Sequence, residues 1–187
     1  MSLDKGSLIT DSLQKGATCA GIIDVSQIAF SQELRNLCKQ NACGKYGTNW
    51  MCPPGVGELE PLKARVSEYK KGLVVQTVHK IIDSFDFEGM MDAGKVHNEI
   101  FRNIVSKIKE QYMKDEILIL SAGACDICPK CTYIDGKECR FPEKAIPSIE
   151  SYGINVAALV QSCDIPYTNG PNTVSYVGLI LFKEDLA

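Results

Sequence analysis

Seven of the nine cysteines in this 187-residue chain fall into two groups. Cys38, Cys43 and Cys52 are spaced C-x4-C-x8-C, and Cys125, Cys128, Cys131 and Cys139 are spaced C-x2-C-x2-C-x7-C. Cysteines two residues apart turn several sulfurs toward one point, and what sits at such a point is a metal ion or a metal cluster. A tetrahedral zinc ion, with Zn–S near 2.3 Å, draws its sulfurs to roughly 3.8 Å from one another, which a single C-x2-C knuckle reaches. Three cysteines in C-x2-C-x2-C must wrap around something, and a four-iron cubane is the larger body.

The bacterial ferredoxin run C-x2-C-x2-C-x3-C-P opens in the same way around a [4Fe–4S] cluster. Here the fourth cysteine comes at x7 and Pro129 follows the second cysteine, so this is a different motif. Gly123, just before the group, lets the backbone approach closely and aim N–H groups at sulfur. The expected cofactor is one or two [4Fe–4S] clusters. Zinc is the alternative, as a knuckle that stabilises the loop, and thiols without metal are a third reading.

The first group has only three cysteines, one short of a four-thiolate site. Cys19 or Cys163 could complete it, or Cys139 could cross over and leave the second group short instead, as happens in two-cluster ferredoxins. An open position is where water or substrate binds in catalytic metal sites. Tyr46 and Trp50, between the ligands, read as packing around the site. Arg140, beside Cys139, either compensates thiolate charge or faces solvent or a carboxylate. Cys19 and Cys163 behave by default as small hydrophobes, and His79 and His97 as ordinary core or surface histidines. The sequence carries no G-x-G-x-x-G, Walker loop, G-x-S-x-G or H-E-x-x-H, so it gives no sign of a nucleotide and assigns no catalytic residue.

Nine cysteines in a reducing compartment favour metal over a disulfide framework, and the polar N-terminal stretch has no apolar core of the kind a signal peptide needs. The expected location is therefore cytoplasmic. No stretch approaches the ~20 apolar residues of a membrane helix. A net charge of −3 with scattered Lys and Arg argues against a nucleic-acid surface, and the 45% hydrophobic, 23% charged composition is that of a globular protein.

The elements that must hold the thiols can be read from the apolar pattern. Helices are expected over 26–41 (with Ser26 as cap and Cys38 in the last turn), 58–71, 92–113 and, briefly, 147–152. Strands are expected over 73–78, 117–120, 154–160 and 174–182. Residues 41–57 are broken by Gly and Pro and must be loop. The whole reads as a single metal-binding domain over 1–187, with 1–57 as a helical and loop N-terminal part. Its class is α+β or α/β: a small mixed sheet with helices packed on it, a ferredoxin-like variant among them, and cysteine-rich loops at the element ends.

Three segments in order, CKQNACGKYGTNWMCPP, SAGACDICPKC and CRFPEKAIPSIESYGINV, carry a resemblance that covers the chain from about residue 30 onward. The chain resembles a family of predicted metal-binding proteins of unknown function from anaerobic bacteria and archaea. The resemblance implies metal binding through Cys38, Cys43, Cys52, Cys125, Cys128, Cys131 and Cys139, and supplies no reaction or substrate. An anaerobic setting favours iron–sulfur over zinc, because oxygen-sensitive clusters survive there. The expected function is electron transfer or another redox role with a redox protein partner. A zinc-stabilised structural or interaction module and a metalloenzyme with an open metal position are the alternatives.

Overall fold

Residues 71–80 and 173–182 are rich in β-branched and aliphatic side chains on both alternating faces, which suits strands covered on both sides. In the computed structural model, which describes residues 4–184 and 186, these are the two central strands of a four-stranded sheet. The strands are β1 (Cys19–Asp24), β2 (Lys71–Lys80), β3 (Ile117–Leu120) and β4 (Thr173–Phe182), in the order β1-β2-β4-β3. Every neighbouring pair is antiparallel. The fold is therefore α+β.

The helices are α1 (Lys5–Gln14), α2 (Gln32–Leu37), α3 (Leu59–Ser67), α4 (Phe87–Lys109) and α5 (Val156–Gln161). Alternation along the strands divides the core in two. Leu73, Val75, Ile180 and Phe182 face Phe101 and Ile104 of α4 and Leu8 of α1. Val74, Leu179 and Leu181 face Val66 of α3, Leu159 of α5 and Tyr152. Each fully buried aliphatic or aromatic side chain here contributes on the order of 1.5–3 kcal/mol. None of these core side chains belongs to the seven candidate ligands, so the scaffold is complete without them. The β2–α4–β3 connection crosses over β4, which lies between its two strands.

Several elements differ from the sequence expectation, each for a local reason. The expected helix over 26–41 is broken. Phe30 is instead bridged to Ile154, Ser31 Oγ accepts the N–H of Leu34 at 3.2 Å to start α2, and a separate 3-10 turn runs Cys38–Gln40. The expected strand over 154–160 is helix α5, because Asn155 Oδ1 accepts the N–H of Ala158 at 3.1 Å and caps a helix that the β-branched residues obscured. The helix expected at 147–152 shrinks to a 3-10 turn, Glu150–Tyr152. Helix α4 starts at Phe87, earlier than expected, because Asp86 Oδ1 takes the N–H of Gly89 at 2.9 Å. Strand β1 and helix α1 were not foreseen.

Candidate metal centre

The first group hangs from the end of α2. Cys38 is the helix C-cap and opens the 3-10 turn, which ends at Asn41 with φ 54°. From there the chain runs through a series of turns: Gly44 N–H donates to Asn41 O at 3.0 Å, Gly47 N–H to Pro53 O at 2.8 Å and Val56 N–H to Cys52 O at 3.0 Å. This folding returns Cys52, which is buried, toward Cys38 and the exposed Cys43. The three thiols lie close enough to feel one another's charge. Burial pushes the Cys38 thiol up, Arg35 opposes that, and Cys43 adds to it. Burial likewise pushes Cys52 up, against a hydrogen bond from the Asn49 side chain.

Arg35 is the residue at this site that sequence reasoning missed. It lies one helical turn before Cys38 and is only 7% exposed. Its guanidinium donates to the carbonyls of Ser151 and Gly57 while standing beside Cys38 and Cys52. Burial lowers its own pKa, and those thiols and Glu58 act to keep it charged. The three-residue spacing to Cys38 on a helix was the available signal, since side chains so spaced share a face.

The second group follows β3 directly. Ser121 N–H donates to Pro147 O and Ser121 O accepts from Ile149 N–H, both at 2.9 Å, so the two ends of the segment are pinned to one point of the sheet. Between them, Cys125, Cys128, Cys131 and Cys139 line a single cavity with Asn49, Trp50 and Met51 of the first loop. The N–H groups of Ile127 and Ile146 donate to the Cys125 sulfur and moderate the upward push of burial on that thiol. Arg140 sits at the cavity wall, and its Nη1 donates to Lys130 O at 3.0 Å.

Side-chain contacts join the two groups. Trp50 Nε1 donates to Lys137 O at 3.0 Å, and its ring meets Tyr133 edge-on with centroids 4.9 Å apart. Gly55 packs so closely under Tyr133 that a Cβ there would lie 2.8 Å from the ring and 2.7 Å from Asn49 O. As a result Cys52 feels Cys125, and Cys125 feels Cys139. The two groups thus lie within electrostatic reach of each other. Among the described residues, no three His, Cys, Asp or Glu side chains converge closely enough to hold one ion. The space enclosed by the second group is about 20 Å³, room for about one water. The donor set is all sulfur, which suits zinc, copper(I) or iron–sulfur and not hard oxygen-seeking cations.

The remaining candidates lie elsewhere. Cys19 opens β1, and Cys163 rests against Gly21 of the same strand, so closely that a Cβ on Gly21 would lie 2.8 Å from the cysteine's own. Burial, with Asp164 adding, pushes the Cys163 thiol up to about 11, and none of the seven thiols contributes. Strand β1 is the opposite sheet edge from β3, about 14 Å away at the usual strand spacing. His97 is fully buried under α4 and pairs through Nδ1 with Thr77 Oγ1 at 2.9 Å, which also bonds His79 Nε2 at 2.9 Å. The histidine pair therefore sits apart from the thiols. No helix among the described residues is long and apolar enough to cross a membrane.

A family model described as predicted metal-binding protein (DUF2284) matches residues 21–182, a span running from β1 to the end of β4 and containing all seven cysteines. No curated protein and no solved structure matches the chain. With the two thiol groups in place and the match covering most of its length, the chain belongs to this family of predicted metal-binding proteins.

Proposed function

We propose that the protein is an iron–sulfur protein that holds a [4Fe–4S] cluster on Cys125, Cys128, Cys131 and Cys139 and passes single electrons to a partner protein. The observation that carries this reading is that these four thiols line one cavity, with the N–H groups of Ile127 and Ile146 on the Cys125 sulfur. A single zinc ion would gather its sulfurs to roughly 3.8 Å, whereas three cysteines in C-x2-C-x2-C suit a larger body such as a cubane. Seating a cluster would require widening a space of about 20 Å³, and the segment that would yield has only short turns and no strand or α-helix between Ser121 and Asn155. When bound, such a cluster supplies one-electron oxidation and reduction.

The chain's own residues then set its surroundings. Ile127 and Ile146 aim N–H groups at Cys125, which stabilises thiolate and tunes potential. The exposed residues along 38–45 and 125–140 include Lys39, Lys45, Lys130, Lys137 and Arg140 against Asp126, Asp135 and Glu138. Five cations against three carboxylates favour an acidic partner face, although the whole chain is net negative. Cys38, Cys43 and Cys52 would supply the thiols of a second centre beside Arg35. With Cys19 on β1 and Cys163 against it, such a centre would have three thiols and a position left for water or substrate, which would suit the metalloenzyme reading at this one site.

The test is iron, zinc and acid-labile sulfide analysis of anaerobically purified protein, with EPR before and after dithionite. The expected result is a brown protein with about four iron and four sulfide per cluster and a signal that appears or vanishes on reduction. Colourless protein with stoichiometric zinc and no iron overturns it, and leaves the zinc-stabilised module, whose loops chelation would unfold.

A further inference from the structure

A cleft separate from the thiol cavity shares a wall with it. It has a volume of about 400 Å³ and lies along the outer edge of β3. Trp50, Met51, Ala145 and Cys139 face both spaces. A cleft of this size suits a ligand of roughly a dozen to twenty non-hydrogen atoms.

Its floor is the sheet edge. Lys183 N–H donates to Glu116 O at 3.0 Å, so residues 116, 118 and 120 bond to β4, and Ile117, Ile119 and Ser121 turn their N–H and C=O groups outward. At Ser121 those groups are taken by Pro147 and Ile149. At Ile117 and Ile119, which line the cleft, no backbone bond takes them among the described residues. The floor therefore offers two N–H donors and two C=O acceptors beside apolar side chains.

Its rim is cationic. Arg65, Lys109 and Lys114 stand around the cleft against the single carboxylate Glu143. Lys114 pairs with Glu143. Among the described residues the Arg65 side chain reaches only the Tyr152 hydroxyl, at 3.4 Å, and Lys109 only the Glu143 carbonyl, at 3.3 Å. Both bonds are long, and neither neutralises a charge. Helices α3 and α4 thus bring two uncompensated cations to an apolar trough edged by open backbone groups.

We infer that this cleft binds a small organic carboxylate with an apolar body, its carboxylate held by Arg65 and Lys109, the two rim cations without an anionic partner among the described residues, and its body along β3 and Trp50. Charge-assisted bonds from Arg and Lys to a carboxylate are about twice as strong as neutral ones, which sets the sign of the selectivity. The shared Cys139 wall places the bound molecule against a thiol of the proposed cluster. That adjacency rests on the cluster reading, whereas the binding itself does not depend on which metal the thiols hold.

The test is calorimetric titration of the protein, as purified with its metal, with 4-phenylbutyrate and with its neutral amide. The acid is expected to bind about tenfold tighter than the amide. The double variant R65Q/K109Q, at two exposed positions, is expected to weaken the acid about tenfold and leave the amide unchanged. Glu143→Gln removes the carboxylate of the rim and frees Lys114, and is expected to tighten the acid roughly twofold. Equal binding of acid and amide, an unchanged acid affinity in R65Q/K109Q, or a weakened one in E143Q would each overturn the inference. Calorimetry reads binding alone, so a zinc-loaded protein that gives the expected pattern sinks the cluster reading and leaves this one standing.

Discussion

Replacing Arg35 tests the link between scaffold and thiols most directly. Its guanidinium is 7% exposed and holds two backbone carbonyls, Ser151 O and Gly57 O, that belong to different segments. Hydrogen bonds from a charged donor contribute about 1.5–3 kcal/mol each, and a buried carbonyl left without a donor adds a desolvation cost. Arg35→Met removes both bonds, so it should destabilise the fold by about 3–5 kcal/mol. Arg35→Lys keeps the charge and one bond but loses the fork, for about 1–2 kcal/mol. A chain of 187 residues shifts its melting temperature by roughly 2–4 °C per kcal/mol, so the two variants should melt about 10 °C and about 5 °C below the parent.

A second readout separates charge from packing. Arg35 is the cation that opposes burial at Cys38 and stands beside Cys52. A metal-loaded group of thiolates is net negative, so R35M should lose metal from the first group on dialysis against chelator while R35K retains it. The assay is thermal denaturation followed by metal content per chain. An R35M protein that melts with the parent and keeps its full metal would refute both the structural and the electrostatic role.

The other predictions concern the histidine pair and the thiol assignment. Burial, with His79 adding, pushes His97 down to about 4 from an ordinary value near 6.5, and its Nε2 has no partner among the described residues. The unfolded chain therefore takes up a proton at His97 below pH 6.5 that the folded chain refuses until about pH 4. Stability should fall by about 3 kcal/mol across that window as pH drops, and His97→Gln should flatten that leg in urea titrations; an equal slope in both proteins refutes it. Cys139→Ser should cost metal at the second group, while Cys19→Ser and Cys163→Ser leave metal content at parent level, read by elemental analysis. Metal loss in either of the last two would return those cysteines to the site.

What the sequence made legible follows from how local each signal is. β2, β3 and β4 carry continuous β-branched and aliphatic runs that read as strands, and α4 a long apolar stripe. β1, CAGIID, has small residues in its first half, including Gly21, so nothing local marks it as an edge strand. α5 was misread because Val156 and Val160 favour strands, whereas the cap at Asn155 decides the matter. The seven thiol positions stand out because ligand spacing is itself local. Arg35 and Tyr133 do not, because they act on partners far along the chain, Ser151 and Gly57 for the first and Trp50 for the second. The cleft beside β3 is built from positions as distant as Trp50, Lys114 and Tyr152 and has no sequence signature at all.

Magnitudes also decide what holds the thiol loops in place. Between the two groups, the polar and aromatic contacts among the described residues include one indole hydrogen bond, worth about 1 kcal/mol, and one edge-on aromatic pair, worth about 0.5–1.5 kcal/mol, beside the packing of Gly55 under Tyr133. Thiolate–metal binding in small structural sites contributes about 10–16 kcal/mol. The metal term exceeds the protein's own cross-loop contacts several-fold. The two buried cores contain none of the seven candidate ligands, so their packing is in place without a metal. Under the metal-binding reading proposed above, the molecule is a scaffold carrying loops whose final geometry the metal would set. Trp50 lines both the thiol cavity and the cleft, with Met51, Cys139 and Ala145, and so stands on the boundary between that loop and the rest of the molecule.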